Sequence, residues 1–398
     1  MELEFAQGQV LVRVEHAPGE RWPCPSCGER CAVHDHRRRR WRHLDTCQLV
    51  TTIEAEVPRI RCGTHGVLQV PVPWAEAGSG FTALFEALVI TWLQHASLSA
   101  VSRQWRVSWD EVDGIMERAV RRGLVRRPER PVRELGLDET AFQRRHEYVT
   151  VLTDREHGTV IEVLDDRTEA GLRQWLQRQP AEARAALRSV SLDMWRPYIQ
   201  ALTAEVPDAA AKLCFDRFHV AQHFGKALDQ VRGAEHRGFQ REHGKSPLSG
   251  TKHDWLRNSG RLDNRGRREF MVLTRQNLRT ARAWAIKETA AGLWHYRYRG
   301  AAERAWRHLL SWIDRCRLEP VKRVGRMIKT HLSGILNAII ARVSNAKSES
   351  MNARIQKIKA MACGFRSRER MRRAILFHLG GLDLLPAAAK MAYAHTES

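Results

Sequence analysis

The chain has 398 residues and a formal net charge of +21, and 43% of its residues are hydrophobic. This apolar content supports folded cores, excludes a mostly disordered chain, and at this length predicts two to four domains. The sequence has no run of 18 apolar residues and no secretory leader pattern, so we expect a cytoplasmic protein without a membrane partner.

The excess of positive charge predicts a polyanionic partner, and nucleic acid is the usual one. A solvated basic surface is the alternative interpretation. The eight cysteines of a cytoplasmic chain are expected as metal ligands or core residues rather than as disulfides.

Residues 1–75 contain five of the eight cysteines. Cys24 and Cys27 are separated by two residues, as are Cys62 and His65, and a glycine follows each pair. Two such pairs predict one tetrahedral zinc site, which is structural because four protein ligands leave no open position. The segment between the pairs contains residues that compete as ligands: Cys31, His34, His36, His43 and Cys47.

The stretch Gln48–Arg61 alternates apolar and polar residues and predicts a strand of the ribbon that the zinc ties together. Ahead of it stand four consecutive arginines, followed by Trp41. They predict a phosphate-contacting patch, with a solvated loop as the alternative. The four are Arg37, Arg38, Arg39 and Arg40.

Residues 80–127 predict a helical DNA-binding domain. The expected helices are Ala83–His95, Ala100–Trp105 and Trp109–Val120. Ser99 is the expected cap of the second helix, and Ser108 with Glu111 forms a capping box on the third. Two short helices joined by a tight turn predict a helix-turn-helix motif whose second helix enters the major groove, with an ordinary helical hairpin as the alternative. Candidate DNA contacts are Arg103, Arg106, Trp109 and Arg118.

Residues 131–225 alternate strand and helix patterns. The expected elements are a strand that ends at Asp138, a hairpin of Glu147–Thr153 with Thr159–Leu164, a helix Thr168–Gln179, a strand Ser189–Leu192, a helix Tyr198–Glu205, a strand Ala211–Phe215 and a helix Val220–Val231. Three apolar strands are thus each predicted to end in an aspartate: Asp138, Asp193 and Asp216.

Carboxylates at the carboxyl ends of strands face the crevice where α/β sheets bind ligands. The order of hairpin, strand, helix and strand is that of the ribonuclease-H-like core, in which acidic groups hold two divalent cations. Any one of these aspartates alone would be interpreted as a helix cap or a turn residue. The set of three is what predicts a metal site.

Residues 226–343 are helical, basic and rich in tryptophan, and residues 344–398 are expected to be helical again. Ser344 begins a helix on which Glu349 is a single acid among basic residues that include Arg354 and Lys357. Glu349 is therefore the candidate third acid. The alternative is an acid that interacts with the helix dipole.

The segments GLDETAF, VSLDMWRPYIQAL, FDRFHV and SNAKSESMNARIQKIK resemble those of bacterial insertion-sequence transposases of the ISL-three group, and the resemblance extends over roughly residues 20–385. It implies an α+β multidomain fold with a zinc ribbon, a helix-turn-helix domain and a ribonuclease-H-like mixed α/β catalytic core with a helical insertion. The implied domains are the zinc ribbon (1–75), the helix-turn-helix domain (80–127), the first part of the core (131–225), the helical insertion (226–343) and the last helices of the core (344–398).

The resemblance also implies roles for individual residues. Asp138, Asp193 and Glu349 would be the catalytic acids and the ligands of magnesium or manganese. The supporting residues would be Asp216, His219 and Asn345, and DNA contacts would include Arg354 and Lys357.

The implied function is DNA transposition. The protein would bind the terminal inverted repeats of a bacterial mobile element, cut phosphodiester bonds and join the 3′-hydroxyl to target DNA. Its partners would be double-stranded repeat and target DNA at the nucleoid, together with a further copy of the chain in a homodimer or larger assembly. The alternatives are a non-enzymatic DNA-binding regulator derived from a transposase and, on the core alone, a ribonuclease-H-type nuclease that acts on RNA.

Overall fold

The structure is a computed structural model that describes residues 2–6, 8–143, 147–257, 270–276, 278–343 and 345–394, without the side chains of residues 2–3, 5–6, 345–349 and 391–394. The chain forms two compact units. The first contains Met1–Pro128 together with Ile358–Ser398, and the second contains Glu129–Lys357.

The strands are β1 (Glu2–Ala6), β2 (Gln9–Val14), β3 (Trp22–Pro23), β4 (Arg30–Cys31), β5 (Val33–Thr46), β6 (Leu49–Cys62), β7 (Gly66–Gln69), β8 (Glu134–Gln143), β9 (Glu147–Asp154), β10 (Thr159–Leu164), β11 (Ser189–Leu192) and β12 (Leu213–Phe215). The helices are α1 (Ala83–Leu93), α2 (Leu98–Trp105), α3 (Trp109–Val125), α4 (Glu169–Gln177), α5 (Ala181–Ala185), α6 (Arg196–Glu205), α7 (Ala209–Lys212), α8 (Arg217–His243), α9 (Lys252–Leu256), α10 (Arg279–Gly292), α11 (Arg299–Arg315), α12 (Glu319–Ile340), α13 (Asn345–Met361), α14 (Arg368–Leu379) and α15 (Ala387–Ala394).

The sheet of the first unit is built around the long antiparallel pair β5 and β6, which confirms the strand expected over Gln48–Arg61. β2 adds to β6 in parallel, β1 pairs with β2, and β7 pairs with the end of β6. The alternation of apolar residues turns one face inward, where Trp41 and Val57 are buried.

Helices α1 to α3 confirm the three expected in this region. The Ser108 hydroxyl accepts from the backbone of Glu111, whose side chain accepts in return, so the predicted capping box is present. The expected cap of α2 is wrong by two residues. Ser97, not Ser99, has the extended backbone of a cap and accepts from Ala100 N–H.

Helices α14 and α15 pack in the first unit rather than with the second. α14 lies on α3, and α15 lies on α1. Arg122 of α3 links the two parts of the unit, because it donates to Glu76, Glu86 and the carbonyl oxygen of Leu384. The helix-turn-helix segment is therefore completed by the C-terminal end of the chain.

The second unit contains a five-stranded mixed sheet in the order β10-β9-β8-β11-β12. β8, β9 and β10 are antiparallel, whereas β8, β11 and β12 are parallel. The predicted hairpin and the strand Ser189–Leu192 are confirmed. The strand expected over Ala211–Phe215 is shorter, because Ala209–Lys212 forms one helical turn before it.

Helices α8 to α12 share one hydrophobic core with this sheet. Trp255 and Trp306 are fully buried in it, so these tryptophans are packing residues. α12 crosses β12 closely at Gly334, where a Cβ would lie 2.4 Å from the Phe215 ring. Asn337 on the same helix donates to the carbonyl oxygen of Leu213 over 2.9 Å, which holds the strand that leads to Asp216.

Across the described residues, no helix has the length and apolar character needed to cross a bilayer.

Candidate functional site

Three aspartates lie at one level of the sheet in the second unit. Ser191 of β11 pairs with Gly136 of β8 and with Cys214 of β12. Two residues after each of these paired positions, the sequence has an aspartate: Asp138, Asp193 and Asp216. Because neighbouring strands are about 4.8 Å apart, this register places the three aspartates on adjacent segments at the carboxyl ends of β11 and β12.

The prediction that β8 ends at Asp138 is wrong. β8 continues to Gln143 because it pairs with β9 along this whole length, and Asp138 lies opposite Val151. The parallel neighbour β11 ends first, at Leu192. At Asp138, β8 therefore pairs with β9 along one edge, while β11 along the other edge has already ended.

Asp138 is held by two donors. Its Oδ1 accepts from the backbone of Glu139 over 2.8 Å, and its Oδ2 accepts from Nδ2 of Asn352 over 2.7 Å. One turn further along α13, Gln356 donates to the hydroxyl of Thr140 over 3.4 Å. These contacts place one face of α13 along the aspartate-bearing part of β8.

Asp193 is partly accessible, with a side chain that is 43% exposed. Its Oδ1 accepts from the backbone of Met194 over 2.6 Å, and its Oδ2 lies 3.8 Å from Nδ1 of His219. His223 and His331 are also close. Burial lowers the pKa of both imidazoles, and the negative charge of Asp193 raises it in part.

Asp216 follows β12 and caps α8, where its Oδ1 accepts from the backbone of Phe218 over 2.8 Å. Asp216 is only 9% exposed, and this burial raises the pKa of its carboxyl group. The hydrogen bond from Phe218 and the charges of His219 and Arg155 lower the pKa, while the charge of Asp138 raises it. The last effect arises because two like charges are close together.

Two of the predicted site residues lie on α13, but their side chains are outside the described residues. They are Asn345 and Glu349. The predicted DNA contacts Arg354 and Lys357 are on the described part of this helix, and both are exposed. Met351, Ile355 and Ile358 form its buried stripe.

The second polar cluster lies in the first unit and contains the four expected zinc ligands Cys24, Cys27, Cys62 and His65. The sulfurs of Cys27 and Cys62 are 3.7 Å apart, and Nδ1 of His65 lies 3.8 Å from the sulfur of Cys24 and 3.6 Å from that of Cys62. With zinc–sulfur and zinc–nitrogen bonds of about 2.3 and 2.0 Å, a tetrahedral site has edges of about 3.5–3.8 Å. The cluster therefore fits a zinc ion.

The backbone turns sharply after each of the two ligand pairs. Gly28 and Gly66 have φ of 77° and 71°, the left-handed conformation that favours glycine. Hydrogen bonds from the backbone and side chain of His65 lower the pKa of Cys62 to about 6, which favours the thiolate. Among the competing ligands, Cys31 lies near Cys62 together with Glu29, so a second ligand arrangement shares one cysteine.

The four consecutive arginines do not form a single patch. They lie on strand β5, where successive side chains point to opposite faces, and not on a loop. Arg38 pairs with Glu56 over 2.8 Å, and Arg40 pairs with Glu54 over 2.6 Å. Arg37 is exposed, and Arg39 lies over the ring of Trp41. Two of the four charges are therefore neutralised by the neighbouring strand.

The expected contacts of the helix-turn-helix motif also divide into two kinds. Arg118 is held by Glu86, which is 1% exposed, over 2.8 Å, so this arginine has a structural partner and its DNA contact stays a prediction. Arg106 pairs with Asp45, and Trp109 lies beneath the guanidinium of Arg370 at 4.5 Å. Arg103 is exposed.

Four residues near the aspartates were missed in the sequence: Arg155, His223, His331 and Asn352. Asn352 carries a usable signal, because it follows Glu349 by three positions and therefore lies on the same side of a helix. His223 follows His219 by four positions for the same reason. Nothing local to Arg155 or His331 indicates a site, since both reach it through the packing of the unit.

Comparison with known proteins agrees with these features. A family model described as a transposase matches residues 135–375, one for the helix-turn-helix domain of transposase family ISL3 matches residues 70–120, and one for the zinc finger of related transposases matches residues 20–65.

Full-length relatives are insertion-sequence proteins. The transposase for insertion sequence element IS1557 of Mycobacterium tuberculosis, in strains CDC 1551 and H37Rv, is 28% identical over 94% of this chain and 89% of its own length. The transposase for IS1001 of Bordetella parapertussis is 24% identical over 87% of this chain and 86% of its own length. The chain belongs to the ISL3 family of insertion-sequence transposases.

Proposed function

We propose that this protein is a metal-dependent DDE transposase that binds the terminal inverted repeats of its element, cleaves the phosphodiester bonds there and joins the freed 3′-hydroxyl to target DNA. The observation that carries the proposal is the level arrangement of Asp138, Asp193 and Asp216 on three adjacent parallel strands. The sheet order, with an antiparallel hairpin on one side of β8 and two parallel strands on the other, supports a ribonuclease-H-like core.

The donor set suits a hard divalent cation such as magnesium or manganese. Carboxylate oxygens are the ligands that these ions prefer. The charge of Asp138 raises the cost of ionising the buried carboxyl group of Asp216, and a cation would offset this cost. Asp138 and Asp193 would hold the metal, with Glu349 as the third acid. Glu349 is one helical turn before Asn352, which contacts Asp138.

When bound, the cations would lower the pKa of an attacking water or hydroxyl and stabilise the departing oxygen. The chain's own residues orient this chemistry. Asn352 fixes one carboxylate by its hydrogen bond to Asp138. His219 lies 3.8 Å from Asp193 and is placed to stabilise its negative charge when the imidazole is protonated. Arg354 and Lys357 are exposed on α13 and would contact DNA phosphates beside the site.

The zinc ribbon and helix-turn-helix domain would supply the binding to the repeats. Two transposon ends have to be brought together, so we expect at least two copies of the chain in the active complex. In this scheme binding and cleavage depend on different units of the chain, which makes them separable by mutation.

The test is cleavage of a supercoiled plasmid that carries both cognate ends, with and without magnesium. Asp193→Asn keeps the size of the side chain and removes the charge. It should abolish cleavage and strand transfer while binding to the repeats stays near the wild-type value. Asp314→Asn is the matched control, because Asp314 forms a surface ion pair with Lys329 and should leave cleavage unchanged. Wild-type cleavage by Asp193→Asn would contradict the proposal.

A further inference from the structure

A groove of about 930 Å³ lies within the first unit, between the helix-turn-helix segment and the C-terminal part of the chain. One wall is formed by the start of α2 and the start of α3, including Arg103 and Trp109. The other wall is the loop before α14, from Met361 to Arg366, and Arg370 of α14 itself. The groove thus joins segments that are more than 250 residues apart in the sequence.

The two walls are locked together by ion pairs. Arg373 lies 3.0 Å from Asp113 and 3.3 Å from Glu117, and Arg370 lies 3.3 Å from Asp113. The guanidinium of Arg370 also covers the ring of Trp109. Because Asp113 and Arg373 are both nearly buried, these pairs fix α14 on the second helix of the helix-turn-helix motif.

The charge of this second helix is unusual for a DNA-binding element. Its first turns carry four acids, and Asp110 is 89% exposed. The four are Asp110, Glu111, Asp113 and Glu117. Acidic side chains repel phosphates, so α3 alone is a poor match for the DNA backbone.

The C-terminal segment compensates for this charge. Residues 358–379 contain six lysines and arginines and a single acid, Glu369. Arg370 and Arg373 contact three of these four acids. Arg103 and Arg366, one from each wall of the groove, are exposed. Neither Arg103 nor Arg366 forms an ion pair with any residue that the structure describes. The groove therefore presents two cations to a ligand, together with the exposed carboxylate of Asp110, which lies 3.9 Å from Arg370.

We propose that this groove binds the sugar-phosphate backbone of duplex DNA, with Arg103 and Arg366 as phosphate contacts. The C-terminal segment is then part of the DNA-binding surface, and the helix-turn-helix motif does not act without it. The inference builds on the proposed binding of transposon ends, but it concerns phosphate contacts and is independent of cleavage.

The experiment measures binding of the full-length protein to a fluorescent mixed-sequence duplex by anisotropy over a range of salt concentrations. Arg366→Glu and Arg103→Glu should each weaken binding by about tenfold at low salt, because charge-assisted contacts are lost. Each should also lower the slope of log affinity against log salt by about one. Arg178→Glu, on an exposed arginine at the end of α4, is the matched control and should change neither quantity beyond a small uniform effect.

A second measurement does not depend on a mutation. Cys363 is an exposed thiol in the wall of the groove, so bound duplex should slow its alkylation severalfold in the wild-type protein. Unchanged alkylation of Cys363, or wild-type affinity and salt slope for Arg366→Glu, would overturn the proposal. Tighter binding by Arg366→Glu would overturn it as well, because the C-terminal segment would then mask the DNA surface. Wild-type cleavage by Asp193→Asn, which would contradict the proposed function, would leave these binding results unaffected, so the two proposals fail separately.

Discussion

Asn352 donates a 2.7 Å hydrogen bond to Asp138, and this contact joins residues that are 214 positions apart. It connects the helix that carries Glu349 to the strand that carries the first aspartate. The second oxygen of Asp138 accepts from the backbone of Glu139, so the orientation of the carboxylate is fixed before any metal binds. Asn352 is accordingly a positioning residue for the proposed site.

Removal of this donor should weaken the proposed metal site without unfolding it. Asn352→Ala should slow plasmid cleavage by about tenfold at limiting magnesium, because a hydrogen bond to a charged group is lost. Raising the magnesium concentration should restore part of the rate, since the acids themselves remain. Gln356→Ala, which removes the longer contact to Thr140, is the control and should have a small effect. Equal rates for Asn352→Ala and wild type at every magnesium concentration would exclude this role.

The zinc cluster gives a prediction about metal content. Cys24→Ser should eliminate one equivalent of bound zinc, measured by elemental analysis, and should make residues 20–70 sensitive to proteolysis. Cys47→Ser is the control, because Cys47 is exposed and outside the four-ligand cluster. A Cys24→Ser protein that keeps its zinc would point instead to the arrangement of Glu29, Cys31 and Cys62.

The sequence predicts the parts of this protein whose chemistry is local. The capping box of Ser108 and Glu111 depends on residues three positions apart, and each pair of expected zinc ligands lies within four consecutive residues. The short segment Ser189–Leu192 has the pattern expected of a buried strand in a parallel sheet, and all four of its residues are buried. These elements are confirmed because their determinants lie within one short segment.

The sequence predictions are wrong or incomplete where the role of a residue depends on a partner that is distant in the sequence. β8 extends beyond Asp138 because β9 pairs with it, and no residue near Asp138 indicates this. Arg118 is held by Glu86, 32 positions away, and no residue near Arg118 indicates this partner. In the same way His331 reaches Asp193 only because α12 crosses β12. Roles that depend on tertiary contacts are not encoded in local patterns.

The crossing of α12 over β12 gives a stability prediction. Gly334→Ala would place a methyl group 2.4 Å from the Phe215 ring, so it should destabilise the second unit by about 1–3 kcal/mol. Thermal unfolding monitored by circular dichroism would show a lower Tm. Gly238→Ala is the matched control, because nothing lies within 4 Å of the added Cβ in α8 and alanine favours helix by about 0.5–1 kcal/mol. A Gly334→Ala protein that is as stable as wild type would show that α12 does not approach the Phe215 ring this closely.

The buried carboxyl group of Asp216 gives a prediction about pH. Burial raises its pKa in the folded protein, whereas the unfolded chain has the ordinary value of about 3.9. A raised pKa contributes stability below the unfolded pKa, and that contribution is lost as the pH rises through the folded pKa. Without divalent cations, the wild-type protein should therefore lose stability relative to Asp216→Asn over this range. Asparagine keeps the acceptor oxygen that caps α8, so the comparison isolates the charge.

The measurement is the difference in Tm between Asp216→Asn and wild type as a function of pH, with a chelator present. The difference should be smallest near pH 4 and should grow in favour of the variant toward neutral pH. Added magnesium should then reduce it, because a cation bound near Asp138 and Asp216 stabilises the ionised wild type and has less charge to bind in the variant. A difference in Tm that is independent of pH would show that the Asp216 carboxyl group ionises equally well in the folded and unfolded chains.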